Sequence, residues 1–280
     1  MARCATSQGV KNEVAPAAAR EVSEVHLLRS LLLTTAVACA FALAPARADV
    51  TPDRAPATTK PSPGAKATGS SHAEARRVTL QGGRNMRSPD GLPVRGGTLR
   101  AGALYRSARL THLSTDDVAK VNALHLVTLI DVRMGLESMF QGPDSEGITA
   151  HRVYLPMHAP MKPGKTFYLK IIQNKNSEKA IARFFATLAD KGSYPLLYHC
   201  GIGKDRTGTL TALLLDLLGT PRDVIFDDYL ASGKTANSAW LQQVFDEVDK
   251  HGGIEAYLKS LGVNADQLDA VRRNLVVPAG

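Results

Sequence analysis

The chain has 280 residues, 44% of them hydrophobic and 21% charged, with a formal net charge of +8 at pH 7. That length holds one large or two small domains, and the positive balance suits anionic substrates. No dense Lys/Arg run and no aromatic-interleaved basic patch occurs, so nucleic acid is not an expected partner.

In chain order, Arg29 precedes an apolar run from Leu31 to Leu43, too short for a spanning helix, that ends in Ala46-Arg47-Ala48 before Asp49. This predicts a signal peptide over residues 1–48, cleaved near Ala48, and hence a periplasmic or secreted protein with no stable membrane anchor. Its stretch ahead of the apolar run is unusually long. Cys39 does not fit a lipoprotein site, because Ala36 stands three residues before it and apolar residues continue beyond. Cleavage would remove Cys4 and Cys39, lower the net charge to +6 and leave Cys200 as the only thiol. An unpaired thiol in an oxidising compartment is a liability unless it is used, and it would be open to oxidation with no resolving partner. Residues 49–77, rich in Ala, Thr, Pro, Lys and Ser, predict a disordered linker, and residues 78–280 a single folded domain.

Within that domain, Leu104-Tyr105 predicts a short strand. Ser114, with Asp117 as its capping-box partner, predicts a helix running to about Leu124. The continuous apolar run Leu126–Val132 predicts a buried parallel strand, and 150–155 a further strand. Apolar residues at 181, 184, 185 and 188 predict a helix over Ser177–Leu188. Leu196–His199 predicts the central strand, and Thr207–Leu218 a buried helix stopped by Gly219 and Pro221. Helices are expected at 222–231, 238–250, 254–260 and 265–275. The pattern gives an α/β fold, a central mostly parallel sheet flanked by helices with a helical C-terminal portion, and a site at the carboxyl ends of the strands.

Between the central strand and its helix, residues 199–209 read His-Cys-Gly-Ile-Gly-Lys-Asp-Arg-Thr-Gly-Thr. A tight loop between a strand and a helix aims backbone N–H groups and a helix N-terminus at one point, which binds anions. Cys200 stands at its base, where the helix end and Arg206 favour a thiolate. A sulfur beneath a phosphoryl group is placed for displacement at phosphorus, and the planar fork of Arg206 can grip two phosphate oxygens. Gly201, Ile202, Gly203 and Lys204 supply the rest of the cradle, with the glycines freeing the backbone. Thr207 can donate to the Cys200 sulfur, His199 orders the loop from behind, and Asp205 is the nearest carboxyl able to protonate a leaving oxygen.

The loop, His199-Cys200-x-x-Gly203-Lys204-Asp205-Arg206-Thr207-Gly208, resembles that of the bacterial tyrosine-phosphatase family of cysteine-dependent protein and phosphoinositide phosphatases. Asn85-Met86-Arg87, Tyr105-Arg106-Ser107, Asp131-Val132-Arg133 with Glu137, Asp228-Tyr229-Leu230 and Gly253–Leu258 are similar to other segments of that family, in family order. The resemblance implies Cys200 as nucleophile, Arg206 as phosphate clamp, Asp205 as general acid and Lys204 as a contact for additional phosphates of inositol lipids. It implies no metal or cofactor, and a phosphorylated protein or a phosphoinositide as substrate. Gly201-Ile202 departs from the family, which often has a larger residue followed by Ala. The short stretch from Tyr229 to Trp240 argues against a large helical lid.

Other readings are weaker. A nucleotide-binding loop needs two glycines five apart before Lys and Ser or Thr, which is not the spacing here. One Cys with scattered His does not make a zinc site. A sulfur-transfer enzyme fits neither the Lys204-Asp205-Arg206 run nor the Thr207-Gly208 ending, and a silent phosphate-binding module needs no thiolate. Asp131 and Arg133 end a buried strand and either brace the sheet as an ion pair or contact substrate. Asp144, Asp227 and Asp228, as alternative acids, read more simply as solvated charges, and Tyr198 and Trp240 as core residues.

Overall fold

A computed structural model describes residues 74, 76–160 and 164–280. The expected leader and residues 49–73 of the expected linker lie outside the described residues. Arg76 and Arg77, which the composition assigned to that linker, are tied into the domain. Arg76 donates to the Ser88 carbonyl at 2.7 Å, and Arg77 bridges Arg87 in antiparallel fashion.

The first elements are β1 (Pro93–Val94), β2 (Gly97–Leu99), β3 (Leu104–Ser107), α1 (Thr115–Asn122), β4 (Thr128–Asp131), α2 (Gly135–Gln141) and β5 (His151–Tyr154). Next come α3 (Phe167–Ile172), α4 (Lys175–Ala189), β6 (Leu196–His199), α5 (Asp205–Leu217) and α6 (Arg222–Leu230). The tail holds α7 (Ser238–Lys250), α8 (Ile254–Ser260), α9 (Ala265–Leu275) and β7 (Val276–Pro278). Strands β3, β6, β4 and β5, in that order, form the parallel sheet, while β1, β2 and β7 form a small antiparallel one.

Alternation along the strands sends side chains to two cores, because successive residues of a strand face opposite sides. Leu104, Ile130, Leu196 and Tyr198 join the larger core, with Phe184 and Leu213 from the helices. Leu129 and Leu197 face the other core, with Leu80, Met86 and Val121. With both faces covered, the strands read as unbroken apolar runs in the sequence. The capping box expected at Ser114 is present: Ser114 Oγ accepts from Asp117 N at 3.1 Å and Asp117 accepts from Ser114 N at 3.3 Å. Asp117 also accepts the N–H groups of Gln81 and Gly82, at 2.8 and 2.7 Å, which fixes the segment leading to the site.

The register aligns the strand ends. Ser107 and Asp131 both pair with His199, and Tyr154 pairs with Asp131, so the four strands finish level on one edge. The site is built there. Three features carry no clear sequence signal: α2, α3 and the antiparallel sheet, all made of short segments whose apolar pattern is incomplete. In addition, α5 begins at Asp205, two residues before the expected Thr207.

Candidate active site

Cys200 follows the last residue of β6 and is 1% exposed. Asp205 and Arg206 occupy the first turn of α5, so the strand–loop–helix order expected from the sequence holds. The Arg206 guanidinium is gripped by Glu137 of α2 through two parallel bonds, NH1 to Oε2 at 2.6 Å and NH2 to Oε1 at 2.7 Å. Burial would raise the Glu137 carboxyl, but Arg206 outweighs it and holds the group below the ordinary carboxylate range. The paired geometry fixes the plane of the guanidinium and not only its charge. Arg206 Nε and the Thr207 hydroxyl are buried without a hydrogen-bond partner among the described residues. The expected bond from Thr207 to the Cys200 sulfur is therefore not made. Because the helix starts at Asp205, Thr207 is the third residue of its first turn and not the first.

The loop is held from behind by its carbonyl groups. Asn85 Nδ2 donates to the Gly203 carbonyl at 2.8 Å and to that of Ile202 at 3.4 Å; Arg106 NH2 donates to Gly203 O at 2.8 Å. The N–H of Arg109 reaches the Gly201 carbonyl at 3.3 Å. A planar trans peptide points its C=O and N–H in opposite directions, so fixing these oxygens from behind turns the amides toward the mouth of the loop. Gly203 is needed for this approach. Its φ is +69°, and a Cβ there would lie 2.5 Å from the Ser107 carbonyl oxygen.

Beneath the braces lies a buried charge cluster. Arg87 and Arg106 are fully buried, and both reach Asp228 of α6, at 3.2 Å from Arg87 Nε and 3.0 Å from Arg106 NH1. Arg76 NH2 stands 3.5 Å from the same carboxylate, and Arg87 also binds Asn85. Burial would raise the Asp228 carboxyl, yet Arg87 and Arg106 prevail and lower it to about 2. Burial and the neighbouring Arg106 in turn lower Arg87 to about 10. Asp228 is thus no solvated acid, as its sequence suggested, but the counter-ion of the segments that brace the loop.

Asp144 is likewise buried and not solvated. His199 Nε2 lies 2.9 Å from Asp144 Oδ2, and its Nδ1 lies 3.4 Å from the Cys200 carbonyl, which places His199 behind the loop as expected. Of the two readings left open for Asp131 and Arg133, the ion pair is present. Arg133 NH2 sits 2.7 Å from Asp131 Oδ2 and 3.0 Å from Asp144 Oδ1, so both residues brace the sheet edge. Asp131, Asp144 and His199 bring ligand-type atoms within 4.8 Å of one another, and Arg133 is the cation between the two carboxylates. Asp227 is half-buried on α6, away from these bonds, with its carboxyl raised by burial and by Asp223.

Asp205 is held by a residue that carried no sequence signal. Tyr168 of α3, fully buried, donates to Asp205 Oδ1 at 2.8 Å, and its oxygen lies 2.7 Å from that of Tyr229. Burial and the Asp205 carboxylate push the Tyr168 phenol far above its usual range, so it remains a donor. One carboxylate oxygen of Asp205 is thereby fixed. The Lys204 ammonium bonds the Thr235 carbonyl and hydroxyl, both at 3.2 Å, lies over the Trp240 ring and stands 3.5 Å from Asp205 Oδ1. Trp240 is half-buried in an aromatic cluster with Phe167 and Tyr168. Tyr198 is a core residue, as expected, bonded to Thr211.

Gly201, where the chain departs from the usual family pattern, has a steric reason. A Cβ would lie 2.5 Å from Glu137 Oε1 and 3.1 Å from Gln141 Nε2. Gly201→Ala should therefore displace Glu137, loosen Arg206 and lower kcat/KM by about tenfold, roughly 1.4 kcal/mol. Adding Glu137→Asp, one methylene shorter, should recover part of that loss. Unchanged kinetics in Gly201→Ala would show that the clamp does not need this contact.

Residues 78–277 match the profile of a family described as the tyrosine phosphatase family. The chain is 28% identical over 228 residues to the triple specificity protein phosphatase PtpB of Mycobacterium tuberculosis, covering 63% of this chain and 82% of that protein. It is 31% identical over 207 residues to a candidate tyrosine-protein phosphatase of Cupriavidus necator, covering 68% and 75%. Among solved structures, the core catalytic domain of the PP-IP phosphatase SIW14 of S. cerevisiae aligns with a TM-score of 0.42 at 14% identity, over 65% of this chain and 97% of that one.

Proposed function

Because the chain belongs to the tyrosine phosphatase family, as a cysteine-type phosphoric monoester hydrolase, we propose that the loop at 199–207 works through a phosphocysteine intermediate. The observation that carries this reading is the buried Cys200 at the end of β6, beside an Arg206 locked flat by Glu137. The Cys200 sulfur attacks phosphorus, and the bond from phosphorus to the ester oxygen breaks as Asp205 gives that oxygen its proton. Water then attacks phosphorus while Asp205 takes its proton, the sulfur–phosphorus bond breaks, and phosphate leaves. Glu137 occupies NH1 and NH2 of Arg206 on one side; Arg206 Nε and the loop amides supply donors for the equatorial oxygens, where charge is spread in the transition state. Rapid mixing with an aryl phosphate, followed by acid quench and peptide mass analysis, should find one phosphoryl group on Cys200. Turnover with phosphate on no cysteine would defeat the proposal.

The role of Asp205 has its own test. Asp205→Asn should slow alkyl phosphates, whose leaving groups need a proton, by about 100-fold or more, and p-nitrophenyl phosphate far less. Equal losses would move the role to another carboxyl group.

The proposed substrate is phosphotyrosine in protein, extending to phosphoserine and phosphothreonine. The triple-specificity name of the M. tuberculosis relative supports that breadth. A phosphoinositide headgroup is the second reading, supported by Lys204 in the wall of a cavity beside the loop. We also propose export, on the apolar run Leu31–Leu43 and the Ala46-Arg47-Ala48 site that follows it. Among the described residues no helix is long and apolar enough to cross a membrane. Amino-terminal sequencing of the exported protein should begin at Asp49; a chain retained with its leader would contradict export.

A further inference from the structure

We infer that the mouth of the site receives an extended phosphotyrosine peptide with acidic residues on one side of the phosphotyrosine and apolar residues on the other. This rests on the phosphatase reading above and adds the sequence its substrate carries around the phosphotyrosine.

The two sides of the loop differ in chemistry, and the sheet order fixes which side is which. Strand β6 lies between β3 and β4. On the β4 side stands α2, whose faces are reversed. Glu137 and Gln141 point at the loop, bonded to each other at 3.3 Å, and a Cβ on Gly201 would touch both. Leu136, Met139 and Phe140, at helical positions i, i+3 and i+4, share another face and are 68%, 66% and 82% exposed. A surface helix normally turns its apolar stripe inward. Three contiguous apolar side chains left in water beside a catalytic loop mark a binding surface.

On the β3 side lies a cavity of about 520 Å³, lined by Arg77, Arg84, Arg109, His112 and Lys204, with no carboxylate in its wall. It reaches the loop itself through Gly201 and Ile202. Arg84 and Arg109 have no hydrogen-bond or ion-pair partner for their guanidinium groups among the described residues. Their backbones are nevertheless fixed: Ala108 N donates to Arg84 O at 2.9 Å, and Arg109 N donates to Gly201 O at 3.3 Å. These two cations lie just outside Asn85-Met86-Arg87 and Tyr105-Arg106-Ser107, whose arginines are consumed by Asp228. They are free to meet an anion brought by a ligand.

A polyphosphorylated headgroup would use the cationic wall and leave α2 uncovered. A bilayer would favour apolar and cationic groups mixed on one plane; here Ile202, 52% exposed, is the large apolar side chain of the cationic wall, and the three of α2 stand on the other side of the loop. An extended peptide advances about 3.3 Å per residue, so a few residues on either side of a phosphotyrosine in the loop would reach both surfaces. Its carboxylates would meet Arg84 and Arg109, and its apolar side chains Leu136, Met139 and Phe140.

The test measures kcat/KM of the full chain on four substrates: p-nitrophenyl phosphate, a phosphotyrosine peptide flanked only by Ser and Gly, and two peptides with Glu on one side and Leu on the other, in either orientation. One of the two patterned peptides should exceed the Ser/Gly peptide by about tenfold or more, mainly in KM. Arg84→Ala with Arg109→Ala should remove the part of that ratio due to Glu, and Met139→Ser with Phe140→Ser the part due to Leu. The ratio is internal to each variant, so an impaired fold does not imitate the result. Hydrolysis of p-nitrophenyl phosphate without any peptide preference would overturn the inference alone. No hydrolysis of any substrate would overturn the phosphatase reading beneath it. A larger dependence on Arg84 and Arg109 for phosphoinositide in anionic vesicles than for the patterned peptides would replace the peptide with a lipid.

Discussion

Cys200→Ser is expected to lower kcat by about 10,000-fold or more on any phosphate ester, while phosphate binding measured by calorimetry stays within about threefold of the native protein. The exchange is nearly isosteric, so the 1% exposed site keeps its packing and the melting temperature should barely move. What would change is the proposed nucleophile: an alcohol lacks the readily ionised form of a thiol. The cradle does not depend on sulfur. Arg206 is held by Glu137, and the loop carbonyls by Asn85, Arg106 and the Arg109 amide. Retained binding with lost turnover therefore isolates the chemical step. A serine variant with more than about one-hundredth of native activity would exclude Cys200 as nucleophile, given the usual cost of deleting one. Loss of binding together with turnover would show instead that the sulfur holds the loop in shape.

The layout of this site was legible in the sequence where it is local. Cys200 through Arg206 lie within one strand–loop–helix turn, so their order alone dictates an anion cradle, and the unbroken apolar run before β6 announces a strand buried on both faces. Residues that act across the fold were much less legible. Glu137 stands 69 residues from Arg206, and only its place in a family-like segment hinted at a role. Tyr168 reaches Asp205 from a six-residue helix with no periodic pattern long enough to notice. Asp144 and Asp228 read as solvated because acidic residues near loops and helix ends usually are. Their burial follows from arginines brought to them by the fold, from 11 residues away for Arg133 and from 122 and 141 for Arg106 and Arg87. Gly201 shows the same limit from the other side. A glycine in a phosphate loop suggests freedom of φ, which Gly203 uses at +69°, whereas Gly201 is required by the Glu137 carboxylate on a different helix.

Asp228→Asn should be the most damaging substitution away from the reacting atoms. The side chain keeps its volume but loses its charge, leaving Arg87 and Arg106 fully buried around a neutral group. Removing one partner of a buried ion cluster costs about 3–5 kcal/mol, because the remaining charges stay desolvated without compensation. For a folded domain of this size that corresponds to a melting temperature lower by roughly 10 °C or more. The damage should also reach catalysis. Arg106 donates to the Gly203 carbonyl and Arg87 binds Asn85, which donates to the same carbonyl, so both braces of the loop lose their anchor. The pH dependence gives a separate check on the cause. Asp228 sits at about 2 in the folded protein, below the 3.8 of an unperturbed carboxyl, so the folded state binds this proton less readily than the unfolded chain. Its contribution is complete above about pH 4 and fades as pH falls toward 2, amounting to about 2–3 kcal/mol at neutral pH. The stability gap between native protein and Asp228→Asn should hence be flat from pH 5 to 8 and narrow by about 2–3 kcal/mol as pH falls from 4 to 2. A gap that persisted unchanged down to pH 2 would mean that Asp228 acts by shape or hydrogen bonding alone. A variant that melted within about 1 kcal/mol of native at pH 7 would mean that the buried arginines are neutralised by other groups, and that the loop is not braced through this cluster.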